Sequence, residues 1–254
     1  MKINEDSLMN MLNDHCEIFL ADTAESKEIH YKIRYDVYCD EMGFENKEDF
    51  PQEMERDEND DEGKSVHFIA RNKLTGQWIG AMRLIFKQDG LLPIEQSCEL
   101  EEKIIANDLE SAVELSRLCL IKDIRRRFKD IDPPHGISDD EIQNQATDKK
   151  VALMPNHRQF SRMVLWGLLH AAVEYGHTNK IKNSYFMTTT ALAKILGRGG
   201  LNLINIGGPC QHKGERFPFR METEEVYQSD TWKQDYSCGY KLFSEQAADI
   251  ASAA

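Results

Sequence analysis

The stretch Ser111-Ala112-Val113-Glu114-Leu115-Ser116-Arg117-Leu118-Cys119-Leu120-Ile121 decides the fold. It alternates as a strand, with Ala112, Glu114, Ser116, Leu118 and Leu120 on one face and Val113, Leu115, Arg117, Cys119 and Ile121 on the other. A strand that only completes a core has no use for Glu114, Ser116 and Arg117 in the middle of its apolar run, because an unpaired buried charge costs roughly several kcal/mol. The strand is therefore read as the wall of a polar cavity. Lys122-Asp123-Ile124-Arg125-Arg126-Arg127-Phe128-Lys129 follows at once, a basic run in an acidic chain, and suggests an anionic ligand.

Upstream, Cys16 to Ala21 reads as a short strand, and residues 5–15 as a first helix. From Ala24 to Gly43, apolar residues Ile29, Ile33, Val37 and Met42 recur at helical spacing, with Arg34 and Tyr38 one turn apart and able to face one ligand. Residues 45–64 form an acidic loop carrying Asp57 and Asp60. Its ligand spacing is too irregular for an oxygen-cage cation site, so no metal is expected. Ser65 to Arg71 and Gln77 to Phe86 read as a strand hairpin, in which Arg83 is placed to pair with Glu114 or with an aspartate of the acidic loop. A short helix is expected over Cys98 to Ala106.

Downstream, residues 128–157 are a polar excursion. His157 to Tyr175 is a helix ended by Gly176, followed by a strand from Lys182 to Thr188 and a helix from Thr190 to Leu196. Strands at Leu201 to Ile206 and Phe217 to Glu222 complete the order. This is a mixed α/β (α+β) sheet, with antiparallel pairs early and a strand–helix–strand crossover late. The divisions expected are an N-terminal helix over 1–15, one domain over 16–222, and a polar C-terminal tail over 223–254.

The 254 residues are 41% hydrophobic, enough for a substantial core, and carry a net charge of −13, which argues against general nucleic-acid binding. No window has the apolar length of a membrane span, and the first residues do not read as a secretory signal, so a cytoplasmic protein is expected. The cysteines at 16, 39, 98, 119, 210 and 238 form no C-x-x-C pair and are read as reduced, small hydrophobes. Neither G-x-G-x-x-G nor G-x-x-x-x-G-K-[ST] is present, so dinucleotide and P-loop readings have no support.

The run Ile33-Arg34-Tyr35-Asp36-Val37-Tyr38 through Gly43-Phe44, then Asp57-Glu58-Asn59-Asp60, Gly80-Ala81-Met82-Arg83-Leu84 and Glu114-Leu115-Ser116-Arg117, resembles the autoinducer-synthase branch of the GNAT superfamily. That branch holds the LuxI-type acyl-homoserine lactone synthases and the long-chain N-acyl amino acid synthases. Met187 to Leu201, Gly207-Gly208-Pro209 and His212 to Pro218 look closest to the acyltransferases associated with PEP-CTERM/exosortase systems. The resemblance covers about residues 16–220, in line with a single domain.

The resemblance implies a GNAT acyl-CoA N-acyltransferase fold whose central strands splay around an acyl-thioester arm. It also implies a donor that is acyl carrier protein (through acyl-phosphopantetheine) or acyl-CoA, an amine acceptor and no permanently bound cofactor. By the family's pattern, Arg34, Asp57, Asp60, Arg83, Glu114, Ser116 and Arg117 form one polar cluster at the acceptor side, with Tyr38 beside it. Glu114 is expected as the base, with Ser116 and Arg117 as its catalytic neighbours. The three arginines are expected to keep Glu114 and the aspartates ionised and to bind an acceptor carboxylate. Trp78, Phe86, Leu118, Trp166 and Phe186 are the expected acyl-pocket residues, and Arg125, Arg126, Arg127 and Lys129 the expected carrier-protein docking surface. Gly43-Phe44 stands where LuxI-type enzymes often place an aromatic over the acceptor. Together with the longer C-terminal half, this implies N-acylation of an amino acid rather than lactone synthesis from S-adenosylmethionine. A GNAT-fold protein that binds acyl groups without turnover is the reading from another class, and an intact Glu114, Ser116 and Arg117 argues against it.

Overall fold

In the computed structural model, residues 14–104, 112–125, 157–232 and 239–246 are described. Strand β4 (Ala112–Leu120) lies inside a nine-stranded mixed sheet. On one side of it run β3 (Trp78–Phe86), β2 (Ser65–Asn72), β1 (Cys16–Leu20) and β9 (Lys241–Leu242). On the other run β5 (Asn183–Thr188), β8 (Glu215–Glu222) and β6 (Ile204–Asn205), with β7 (Cys210–Gln211) attached to β8 as a hairpin. β1 to β4 are antiparallel, whereas β4 and β5 are parallel.

That parallel pair needs a crossover. It runs by way of the short helix α3 (Lys122–Arg125) and α4 (His157–Thr178), the latter packed on β1, β2, β3 and β4. Helix α1 (Ala24–Tyr35) packs across β2, β3 and β4, starts at a reciprocal Thr23–Ser26 capping box, and continues as a π-helical turn over Asp36–Glu41. Ile18, Phe68, Ile69, Ile79, Met82, Leu84, Leu120 and Leu168 fill the core between these layers.

Two irregularities shape the centre of the sheet. Arg83 pairs with Ser116 and Ala81 with Cys119, so β4 carries one more residue than β3 over this span, and Arg117 takes a positive φ of 53°. This bulge breaks the strict alternation expected along β4 and swaps its faces beyond Ser116. β4 and β5 pair only where Ala112 to Glu114 face Asn183 to Tyr185. Beyond that point the two strands part.

Several boundaries differ from expectation. The short helix before β4 is α2 (Pro93–Ser97) rather than Cys98 to Ala106: Pro93 opens it, and the Glu95 carboxylate accepts the Leu92 N–H at 2.8 Å. α4 runs through Gly176 instead of ending there, because the missing side chain lets the helix lie against Thr223; a Cβ would sit 2.9 Å from its Cγ2. α5 (Thr190–Arg198) ends at Gly199, where a Cβ would strike the Trp166 ring at 2.4 Å.

The cysteine reading is corrected at two positions. Cys98 and Cys210 are joined in a disulfide, because the β7–β8 hairpin lies against the end of α2, while Cys16, Cys39 and Cys119 are buried thiols. The stretch after residue 222 is no separate polar tail either. α6 (Thr223–Tyr227) places Val226 in the core, Trp232 is buried against Trp166 and His170, and β9 returns to pair with β1. The apolar residues there are too sparse in sequence to read as an element; α4 orders Trp232, and the β1 edge orders β9. The expected N-terminal helix, the polar excursion, Arg126, Arg127, Lys129 and Cys238 lie essentially outside the described residues. No helix among the described residues is long and apolar enough to cross a membrane.

Trp232→Ala removes a ring that is 3% exposed and whose Nε1–H donates to the Val226 carbonyl at 2.5 Å. It is expected to cost about 3–5 kcal/mol in urea unfolding. A cost under about 0.5 kcal/mol would show that the C-terminal stretch is dispensable to the core.

Candidate active site

Where β4 and β5 part, a cavity of about 310 Å³ opens. One end is apolar, walled by Leu118, Leu169, Phe186, Leu192, Leu196 and Met221. The other is polar, walled by Asp57, Arg83, Glu114, Ser116 and Arg117. Tyr38 and Phe44 lie on the same wall with their rings stacked at 6.4 Å, and Gln96 and Ser97 face them with His212, Lys213 and Arg216 of the β7–β8 hairpin.

The polar wall rests on a network of three guanidinium groups and three carboxylates. Arg34, fully buried, donates to Glu55 and, through Nη1, to both oxygens of Asp60 at 2.8 and 2.9 Å. Arg83 donates from Nη1 to Asp57 at 2.7 Å and Asp60 at 2.8 Å, from Nη2 to Asp57 at 3.1 Å, and from Nε to the Ser116 hydroxyl at 3.1 Å. Arg117 donates from Nη2 to Glu55 and to Asp57, both at 3.0 Å, with its guanidinium 5.6 Å from the Tyr38 ring centre. The positive φ at Arg117 carries this side chain to the same side of the sheet as Ser116. Asp57 caps the turn Glu58–Asp60 reciprocally with Asp60, which presents both carboxylates to the arginines.

The electrostatics divide the acids sharply. Burial pushes each carboxyl upward. For Asp60, the His67 hydrogen bond and the charges of Arg34 and Arg83 outweigh it and hold the group far below the usual carboxylate range. Glu55 is lowered by Arg34 and Arg117 despite its burial, and Asp57 by the bond and charge of Arg83 and the charge of Arg117. Glu114 is different. It is 1% exposed and has no ion pair among the described residues. One oxygen accepts the Ile94 N–H at 2.8 Å. Burial therefore dominates over that bond and over the more distant Arg83 and Arg117, and its pKa is pushed up to about 8.

Of the two partners expected for Arg83, it takes the acidic-loop aspartates, Asp57 and Asp60, while Glu114 sits opposite Ile85 across the strands. Other residues stand differently from expectation. The arginines keep the aspartates ionised but leave Glu114 protonated at neutral pH, because they are spent on nearer acids. Arg34 and Asp60 are buried behind the wall, so they position Arg83 and Glu55 rather than touch a ligand, whereas Tyr38, Asp57 and Arg83 line the cavity.

Of the expected acyl-pocket residues, Leu118 and Phe186 line it. Trp78 packs on Phe19 and Phe243, Phe86 on Tyr175, and Trp166 on Trp232, all core contacts elsewhere. Arg125 is buried, donating to the Leu120 carbonyl at 2.6 Å and pairing with Glu41, which removes it from a docking surface. Glu55 is not legible in the sequence, being one acid in a loop rich in them; its signal is stoichiometric, since three arginines converging on one loop call for a third acid beside the two aspartates. His67, which hydrogen-bonds Asp60 at 2.9 Å, carried no signal in its strand. Among the described residues, no cluster of His, Cys, Asp or Glu is arranged to hold a metal.

Residues 33–129 match the family model described as an acetyltransferase (GNAT) domain. The fold is that of crystallised acyl-homoserine lactone synthases. BjaI, a CoA-dependent acyl-homoserine lactone synthase in complex with SAM and isopentyl-CoA, superposes with a TM-score of 0.59 at 15% identity, covering 93% of this chain and 99% of that one. TofI, in a ternary complex with an inhibitor and MTA, gives 0.58 at 16% identity over 87% and 99%. The AHL synthase LasI gives 0.53 at 16% identity over 90% and 98%. No curated protein matches by sequence. At these identities the likeness is one of fold; the GNAT domain match relates residues 33–129 of the chain to acetyltransferases.

Arg34→Met would strand two buried carboxylates, Glu55 and Asp60, without their shared cation. It is expected to lower stability by about 3–5 kcal/mol at pH 7, with part of the loss recovered as the acids protonate below pH ~4. An unfolding free energy within about 0.5 kcal/mol of wild type would show that the network bears no weight.

Proposed function

We propose that this GNAT acyltransferase moves a fatty acyl group from a thioester onto the amine of an amino acid. The observation that carries the reading is Glu114: a carboxyl on the cavity wall, at the strand fork, with a pKa near 8 and no cation claiming it. A protonated amine cannot attack a thioester, so a base must take its proton first, and a base poised near the working pH does this best.

In this reading the acyl chain lies along Leu118, Leu169, Phe186, Leu192 and Leu196, with the thioester carbonyl at the fork. Glu114, in its ionised form, takes a proton from the ammonium. The nitrogen then attacks the carbonyl carbon, forming the C–N bond, and the negative charge on oxygen faces the backbone of the parted strands. Collapse breaks the C–S bond; the thiolate leaves and takes up the proton that the nitrogen sheds on becoming an amide, and Glu114 gives its proton back to solvent. The products are an N-acyl amino acid and a free thiol. Arg83 and Arg117 hold Ser116 and Asp57 in place around the acceptor. The thiol belongs to the phosphopantetheine arm of acyl carrier protein or to CoA. In the first case the basic residues Arg126, Arg127 and Lys129 would meet the acidic carrier.

Mass spectrometry of a reaction containing the full chain, long-chain acyl-CoA or acyl carrier protein, pooled amino acids and S-adenosylmethionine is expected to show an N-acyl amino acid. An acyl-homoserine lactone would overturn the choice of acceptor. The absence of any product, with acyl carrier protein still bound, would overturn catalysis altogether. With the acceptor known, kcat/KM is expected to rise with pH through about 8 as Glu114 ionises. Glu114→Gln should lose roughly 10²–10⁴-fold in kcat and flatten that limb; unchanged turnover would remove Glu114 from the mechanism.

A further inference from the structure

Arg83, Arg117, Lys213 and Arg216 bring four cationic side chains to the cavity. Three are already matched: Arg83 and Arg117 by Asp57, Asp60 and Glu55, and Lys213 by Glu45 at 3.2 Å. Arg216 is not. Its Nη1 donates to the Glu215 carbonyl at 2.9 Å and its Nη2 to the Lys213 carbonyl at 3.0 Å. No carboxylate pairs with it among the described residues, and its remaining N–H donors take no partner there. The side chain is half-buried, so part of its hydration is already gone while its charge is uncompensated. His212 beside it feels Arg117, Lys213 and Arg216 together, and these three charges, after burial, hold its pKa below the usual value. This corner of the mouth is electropositive.

The position is also held from both sides. Arg216 stands opposite Cys210 in the β7–β8 hairpin, and Cys210 is bonded to Cys98 at the end of α2. Across the mouth, the Lys213 ammonium donates to the Phe44 carbonyl. A planar guanidinium fixed in this way, with donors to spare, suits bidentate binding of a planar or tetrahedral oxyanion.

We propose that Arg216 is the oxyanion-recognition residue of this cavity. Resting on the acyltransfer reading above, the anion is a substrate's own: the carboxylate of the amino acid acceptor or the phosphate on the pantetheine arm of the donor. The arginines first expected to hold a carboxylate are consumed by the protein's own acids, and Arg216 supplies what they cannot.

Isothermal titration of the full chain with two probe pairs tests this. N-dodecanoylglycine against its methyl ester reports on a carboxylate, and 4′-phosphopantetheine against pantetheine reports on a phosphate. Wild type should prefer the charged member of one pair by roughly tenfold or more. Arg216→Gln should abolish that preference while leaving the neutral member's affinity unchanged, and Arg216→Lys should restore part of it; the pair affected identifies the source of the anion. The proposal is overturned if wild type shows no charge preference in either pair, if the preference survives in Arg216→Gln, or if charged and neutral members weaken together, which would mark Arg216 as a cap of the hairpin turn. No turnover is involved. A chain that yields no product yet shows the Arg216-dependent preference would defeat the acyltransfer reading and leave this one standing.

Discussion

Three guanidinium groups, two of them fully buried, set against three carboxylates hold the centre of this molecule. Arg34, Arg83 and Arg117 come from a helix and two strands, while Glu55, Asp57 and Asp60 come from one loop. Withdrawing these charges from water is expensive, and the arrangement survives because each cation meets more than one acid and each acid at least two cations. The balance of charge is what matters for the site. With every guanidinium claimed by the loop, the fourth carboxyl in the neighbourhood, Glu114, is left with a backbone N–H and a low-dielectric wall. The network that keeps Asp60 ionised is thereby the reason Glu114 holds its proton.

The sheet contributes the opening. The extra residue in β4 turns Arg117 onto the side of the network, and the loss of pairing beyond Glu114 and Tyr185 lets the two parallel strands diverge. Both effects sit within four residues of Glu114, so the carboxyl, the fork and the apolar end of the cavity meet at one place. Continuous pairing between β4 and β5 would close the cavity, and a regular β4 would point Arg117 away from Glu55. The irregularities are the functional part of an otherwise ordinary sheet.

Much of this was legible in the sequence because it depends on local pattern. The alternation of residues 111–121 located the central strand, and charged residues inside it announced a cavity wall. The bulge was not legible: nothing in the sequence around Arg117 marks a left-handed backbone, and its positive φ arises only from how β3 and β4 pair. The aromatic residues misled for a related reason. Trp78, Phe86 and Trp166 have the size and polarity of pocket residues, but which face of an element meets a void and which meets another side chain is a tertiary fact. The disulfide between Cys98 and Cys210 and the Trp232 anchor join segments far apart in sequence, with no short-range signal at either end. Glu55 lay hidden among neighbouring acids, which differ from it only in where the loop turns.

The central claim is that the arginine–carboxylate network isolates Glu114 as a proton-holding group on the cavity wall. Following the side-chain carboxyl carbons by ¹³C NMR from pH 3 to about pH 10, with Glu114→Gln to assign the signal, tests it most directly. The account predicts a Glu114 midpoint near 8, while Asp60 shows no midpoint within that range. A Glu114 midpoint in the ordinary carboxylate range, about 4 to 5, would mean that a cation reaches it after all, and the account would fail.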